Sequence, residues 1–312
     1  MLYIVEMKEL LIAIGIVLLA AILIWEYTSE IPSLKGSTIT PETLTVGMSN
    51  PRLWIFYDTS DVNSRKWYDF GARTSKAIHI PLLNTLYERI AAHNGRDYNI
   101  EVLGGLESIA EHMGGWASMP RPLQNPKTRV TKEEYTWIRT AILAKYGGLW
   151  VSPSVISLAP FGKLPNDITL FTDDVNPQFT AIWVPSAQNP TFVRWEAMLR
   201  ERLDSQLGGY NFRDDASLDW NELQEKHTVL AYELSRHTKT NNKIQLEDLF
   251  AAGTEGKIPF QIPTNTKYIV IPYNDLLNRR AWGWVLHSSE EELLSSDLSI
   301  THILRAYPIQ TK

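Results

Sequence analysis

Between residues 131 and 151 the sequence reads TKEEYTWIRTAILAKYGGLWV, and this segment leaves few options for the local fold. Thr131 and Glu134 have the Thr-x-x-Glu spacing of a capping box, in which two side chains satisfy backbone N–H groups at a helix start. Tyr135, Ile138, Ile142 and Tyr146 then recur at intervals of three and four, one face of a helix. Gly147 is placed to end that helix, and the apolar LWV beyond Gly148 reads as a buried strand. On physical grounds the segment is an amphipathic helix feeding a core strand.

The same rhythm runs through much of the chain. Arg52 to Tyr57, RLWIFY, is a short bulky run with the character of a strand and ends at Asp58. Leu82, Leu83, Leu86 and Ile90 predict a helix over Pro81 to His93, ended by Asn94-Gly95. Tyr98 to Leu103 alternates like a strand, and a helix follows over Leu106 to Met113. Further strands are expected at Ile168–Phe171 and Phe179–Val184. Strand and helix in alternation indicate an α/β sheet with parallel crossovers. Past about residue 190 the pattern turns helical, over Phe192–Leu207 and Leu218–His237. A strand-like Tyr268–Pro272, a Trp-rich stretch at Trp282-Gly283-Trp284 and a helix over Glu290–Ser296 complete the chain.

The first 50 residues differ in kind. Leu10 to Trp25, LLIAIGIVLLAAILIW, carries no charge and is bounded by Lys8-Glu9 and Glu26. A membrane-spanning helix needs about 20 apolar residues, with about 17 as a lower limit, so this run is slightly short. Trp25 and Tyr27 suit an interfacial belt, and the core runs on without the small-residue site that signal cleavage needs. Residues 1–27 therefore read first as a single-pass signal anchor, ahead of a cleaved signal peptide and then a buried helix, with an orientation that the flanking charges do not specify. Residues 28–50, rich in Ser, Thr, Pro and Gly, read as a stalk or linker, and 51–312 as the folded domain.

Composition excludes several chemistries. With no cysteine there is no disulfide, thiolate metal site or cysteine nucleophile. A net charge of −5 gives no basic field for nucleic acid. The seven histidines are scattered without ligand spacing, and no phosphate-loop or nucleophile-elbow pattern occurs.

IRTAILAKYGGLWVSPSVISLAPF, residues 138–161, resembles the core segment of glycosyltransferases of the capsular-polysaccharide-synthesis and family 32 type, including anchored relatives in large DNA viruses. Those proteins read Asp-x-x-Arg, an aliphatic stretch, Tyr-Gly-Gly, an aromatic and an aliphatic residue, then Asp-x-Asp or a variant of it. Arg139, Ile142, Leu143, Tyr146, Gly147, Gly148 and Trp150 fall on matching positions, and the strong match spans about 25 residues. The resemblance implies a GT-A fold, a Rossmann-like mixed sheet flanked by helices. It also implies transfer of a hexosyl group from a sugar nucleotide to a glycan acceptor. In such proteins the paired acids hold Mg²⁺ or Mn²⁺ against the donor diphosphate, since hard cations want charged oxygen ligands.

This chain departs from the pattern where the chemistry lies. Ser152 and Ser154, around Pro153, occupy the positions of the paired acids, and Thr136 that of the acid three residues before the arginine. A neutral hydroxyl binds a hard cation far more weakly than a carboxylate does. No metal is therefore expected unless acids elsewhere supply it, and no catalytic residue is assigned. The donor-cleft candidates are Asp58, Arg139, Gly147, Gly148, Ser152, Ser154, Asp173 and Asp174. Asp61 belongs with Asp58 after the first strand, while Arg65, Arg73 and Lys76 are candidates for neutralising a diphosphate without metal. Three readings follow: a membrane-anchored glycosyltransferase-like protein; a non-catalytic structural or scaffolding protein at a membrane, such as a virion component with protein partners; and, third, a periplasmic or extracytoplasmic sugar-binding protein with no enzymatic past.

Overall fold

A computed structural model describes residues 50–58, 80–126, 129–171, 180–205, 226–252 and 258–309. The chain divides after Ser49, and all of the described residues belong to the second unit. The expected anchor, at residues 10–25, and residues 28–49 of the stalk lie outside them. Among the described residues no helix is long and apolar enough to cross a membrane.

The elements in chain order begin with β1 (Arg52–Tyr57), α1 (Pro81–Asn94), β2 (Asn99–Gly104), α2 (Gly105–Met113), α3 (Lys132–Tyr146) and β3 (Gly148–Val151). Next come β4 (Val155–Ser157), β5 (Thr169–Phe171), β6 (Ala181–Val184) and α4 (Pro190–Ser205). The remainder is β7 (Thr228–Leu230), β8 (Glu233–Leu234), α5 (Leu246–Phe250), β9 (Tyr268–Val270), α6 (Tyr273–Asn278), a 3₁₀ segment (Arg280–His287), α7 (Glu290–Ser295) and α8 (Ser299–Ala306).

Six strands form a mixed sheet in the order β2-β1-β3-β6-β5-β7. β1 is parallel to both β2 and β3, β6 runs antiparallel to β3 and β5, and β7 is parallel to β5. A second sheet has the order β4-β9-β8. The large sheet lies between two apolar layers, and the two-residue period of its strands sorts the side chains between them. Leu53, Ile55 and Tyr57 of β1 join Leu149, Val151 and α1 residues Leu82, Leu83, Leu86 and Ile90 on one side. Trp54 and Phe56 join Trp150, Ile182 and residues of α2, α3 and α4 on the other. Burial on both faces is why RLWIFY reads as an unbroken bulky run rather than an alternating one.

The α3–β3 junction forms as its sequence predicts, capping box included. Thr131 Oγ1 accepts the Glu134 N–H at 3.2 Å, and Glu134 Oε2 accepts the Thr131 N–H at 2.7 Å. Gly147 and Gly148 then take φ of 66° and 100°, a region that only glycine enters without strain. A Cβ on Gly148 would lie 2.5 Å from the Arg52 carbonyl oxygen, and one on Gly147 2.7 Å from the Ser186 carbonyl carbon. Trp54 Nε1 donates to the Gly147 carbonyl at 2.8 Å, tying the turn to the middle of β1.

Three expectations are corrected. The helix over Leu218–His237 does not extend through its described part, where Thr228–Leu230 and Glu233–Leu234 are strands. Thr228 and Val229 are β-branched and pair with β5, so sheet contacts override the helical spacing. The part beyond residue 190 is accordingly mixed rather than helical, and it adds α8, which the sequence reading left out. Gly95 ends α1 at a right-handed φ of −63°, not in the left-handed cap conformation; the buried Asn94 side chain instead bonds the Ile90 carbonyl and the Phe161 N–H.

Replacing Gly148 by Ala combines a positive-φ cost of about 1–3 kcal/mol with overpacking of about 1–3 kcal/mol. G148A should therefore lose about 2–6 kcal/mol in urea unfolding. G283A, where an added Cβ meets nothing within 4 Å, should change stability by less than about 1 kcal/mol.

Candidate functional site

Open α/β sheets bind ligands beyond the carboxyl ends of their strands, and that edge of the large sheet carries a cavity of about 510 Å³. β1 delivers Phe56 and Asp58 to it, and β3 delivers Ser152, Pro153 and Ser154. β6 is antiparallel and starts at this edge, so Thr180 stands beside Ser152, whose N–H donates to the Thr180 carbonyl at 2.6 Å. Arg129 to Lys132 and Tyr135 form the wall at the start of α3. Residues 270–275 and Leu277, from β9 into α6, close the other side with Lys243. The two walls are joined where the Ile271 N–H donates to the Ser154 carbonyl at 2.9 Å.

The hydroxyls of Ser152 and Ser154 lie 3.0 Å apart and bond each other. The Asp58 carboxylate accepts the Val130 N–H at 2.9 Å, holding the loop before α3 against the end of β1. Behind the cavity wall is a buried polar cluster. Glu233, 3% exposed, is within hydrogen-bond reach of the Thr180 hydroxyl and accepts from Tyr268 Oη at 3.1 Å. Thr180 and Tyr268 oxygens are themselves 3.2 Å apart. This cluster links β8 and β9 of the small sheet to the wall formed by Thr180.

The charge on the wall is mixed. Arg129, Lys132 and Lys243 supply cations, and Asp58 and Asp275 supply carboxylates. Among the described residues there is no group of three or more histidine or acidic side chains able to hold a metal ion. The donor set at Ser152–Ser154 does not fit a hard divalent cation either, because both ligands are neutral.

The sequence candidates separate into three groups. Asp58, Ser152 and Ser154 line the cavity together. Gly147 and Gly148 sit at the opposite, amino end of β3, where they allow close backbone packing, and they do not touch the cavity. Arg139 is 2% exposed within α3 and does not line it. Burial pushes its guanidinium down to about 10, against an opposing influence of Tyr135, so it stays charged at neutral pH. Thr136 bonds back to the Lys132 carbonyl at 2.9 Å. Asp61, Arg65, Arg73, Lys76, Asp173 and Asp174 lie outside the described residues. Of the two tryptophans in the Trp-rich stretch, Trp282 packs near Phe250 with ring centroids 5.9 Å apart, and Trp284 is exposed.

Sequence reasoning missed Arg129, Lys132, Thr180, Lys243 and Glu233. Lys132 was within reach, since the first residue of a capped helix beside a strand's carboxyl end belongs near such a site. Lys243 and Glu233 come from distant segments, and no local pattern marks them.

No family model matches the chain, and no curated protein does. Among solved structures the chain is similar to one titled "PaToxG Glycosyltransferase", at 16% identity and a TM-score of 0.33, over 56% of this chain and 70% of that one.

Removing the Glu233 carboxylate takes away an acceptor shared by two buried hydroxyls, those of Thr180 and Tyr268, which keep each other as partners at 3.2 Å. E233A should destabilise the protein by about 1–3 kcal/mol, the cost of one buried polar group left short of a partner. E233Q, which keeps an acceptor oxygen, should lose less than half of that in the same unfolding measurement.

Proposed function

We propose that the chain is a glycosyltransferase-like protein of GT-A type whose cavity receives a sugar nucleotide and faces a glycan acceptor. The observation that carries this reading is the position of Ser152-Pro153-Ser154. The segment that resembles the metal-holding segment of those enzymes forms the wall of a cavity at the carboxyl edge of a mixed sheet. The cavity volume of about 510 Å³ suits a small-molecule ligand. In this reading the site does not use the ordinary metal-dependent route, because Ser152 and Ser154 replace its carboxylates. The hydroxyl pair bonded to itself also favours a second reading, a non-catalytic scaffold at a membrane that kept the fold and lost the chemistry.

Titrating the full chain with UDP- and GDP-sugars, with and without Mn²⁺, separates the two. The donor reading expects saturable binding of at least one sugar nucleotide, competed by its nucleoside diphosphate. If none binds and no donor is hydrolysed in any metal condition, the donor reading falls and the scaffold reading stands.

Membrane attachment through residues 10–25 is part of both readings and rests on the uncharged apolar run. The full chain should remain with membranes after alkaline carbonate extraction, and a variant lacking residues 10–25 should be released. Release of the intact chain would refute the anchor.

A further inference from the structure

The cavity presents an unusual balance for a site in an acidic chain. Net charge over the whole sequence is −5, yet its wall carries three cations, Arg129, Lys132 and Lys243, against the two carboxylates of Asp58 and Asp275. One of those carboxylates is already engaged by the Val130 N–H. The cations reach the cavity from two separate stretches of chain, 129–132 and 243, so their convergence is a product of the fold and not of a local charge run.

We propose that this cavity binds the diphosphate of its ligand directly through Arg129, Lys132 and Lys243, without a metal ion. The proposal rests on the sugar-nucleotide reading for the rest of the ligand, but its anion-binding claim stands apart from it. A diphosphate brings charge that must be neutralised on entering the site, and a cleft without a carboxylate pair for a divalent ion must supply the neutralising charge itself. Arginine and lysine do this as hydrogen-bond donors to phosphate oxygens. Ser152 and Ser154 fit the same ligand. Two hydroxyls that share one hydrogen bond have one hydrogen left over, and a phosphate oxygen can accept it. The residues that are poor ligands for a cation are thus suitable donors to an anion. The Thr131 cap at the start of α3 also lines the wall, but Glu133 and Glu134 in the first turn offset the helix dipole there, so the neutralising charge comes from the three side-chain cations.

The test uses the full-length chain and calorimetric titration with inorganic pyrophosphate and with uridine diphosphate, each in excess EDTA. Both should bind without metal. For uridine diphosphate, replacing EDTA by Mn²⁺ should change affinity less than threefold. The double variant K132A/K243A should weaken both ligands at least tenfold while melting at the wild-type temperature, because both side chains are exposed. K132R should bind within about threefold of wild type. Raising the salt concentration should weaken binding, as expected for partly exposed charges. Absence of binding in EDTA, affinity that appears only with Mn²⁺, or a double variant that binds like wild type would each overturn the proposal. Pyrophosphate binding with no sugar nucleotide bound would keep the anion site and remove the donor reading. Sugar nucleotides bound only with Mn²⁺ would keep the donor reading and remove the metal-free site.

Discussion

Among the glycines of the described residues, Gly148 leaves the least room for a side chain, because a Cβ there would meet the Arg52 carbonyl oxygen. At this point β3 enters the sheet beside β1, and the backbone of one strand passes where any side chain on the other would collide. The turn works because Gly147 and Gly148 both take positive φ and because Trp54 donates its indole N–H to Gly147. Once β3 is fixed there, its short length sets the rest. Four residues later the chain leaves the sheet at Ser152, next to the end of β1 and the start of β6. The hydroxyl pair owes its place at the cavity to a glycine pair at the other end of the strand.

The cavity is then assembled by elements that each solve a different structural problem. The capping box of α3 satisfies its own helix start and in doing so sets Thr131 and Lys132 on the wall. Asp58 ends β1 and anchors the loop before α3. The small sheet brings Glu233 and Tyr268 behind Thr180, a buried arrangement in which each polar group has a partner and the wall is held rigid. No single element carries the site. What the arrangement offers a ligand is three cations and two hydroxyls against the two carboxylates of Asp58 and Asp275, a surface with a small excess of positive charge and neutral hydroxyls where a hard cation would want acids.

Much of this was legible in the sequence wherever one local signal dominated. The capped helix, its glycine stop and the buried strands β1 and β3 could be read because capping, periodicity and glycine geometry agree there. Asp58 could be placed at the cleft from the strand-end rule, and Ser152 and Ser154 from the resemblance. Gly147 and Gly148, cleft candidates by the resemblance, do not line the cavity, since a resemblance marks positions without saying whether they touch a ligand or another backbone. Thr228 to Leu234 was misread as helix because its strands are very short and gain their stability from partners distant in sequence. Lys243 and Glu233 were invisible for the same reason: only the tertiary fold brings them to residues 129–132 and to Thr180.

The most direct measurement is a crystal structure of the chain with uridine diphosphate bound in the presence of EDTA. The account predicts the diphosphate in the cavity beyond the ends of β1 and β3, with its oxygens on Lys132, Arg129 or Lys243 and on the Ser152–Ser154 hydroxyls. A diphosphate bound anywhere else, or one held in this cavity only through a metal on Asp58 or Asp275, would contradict it.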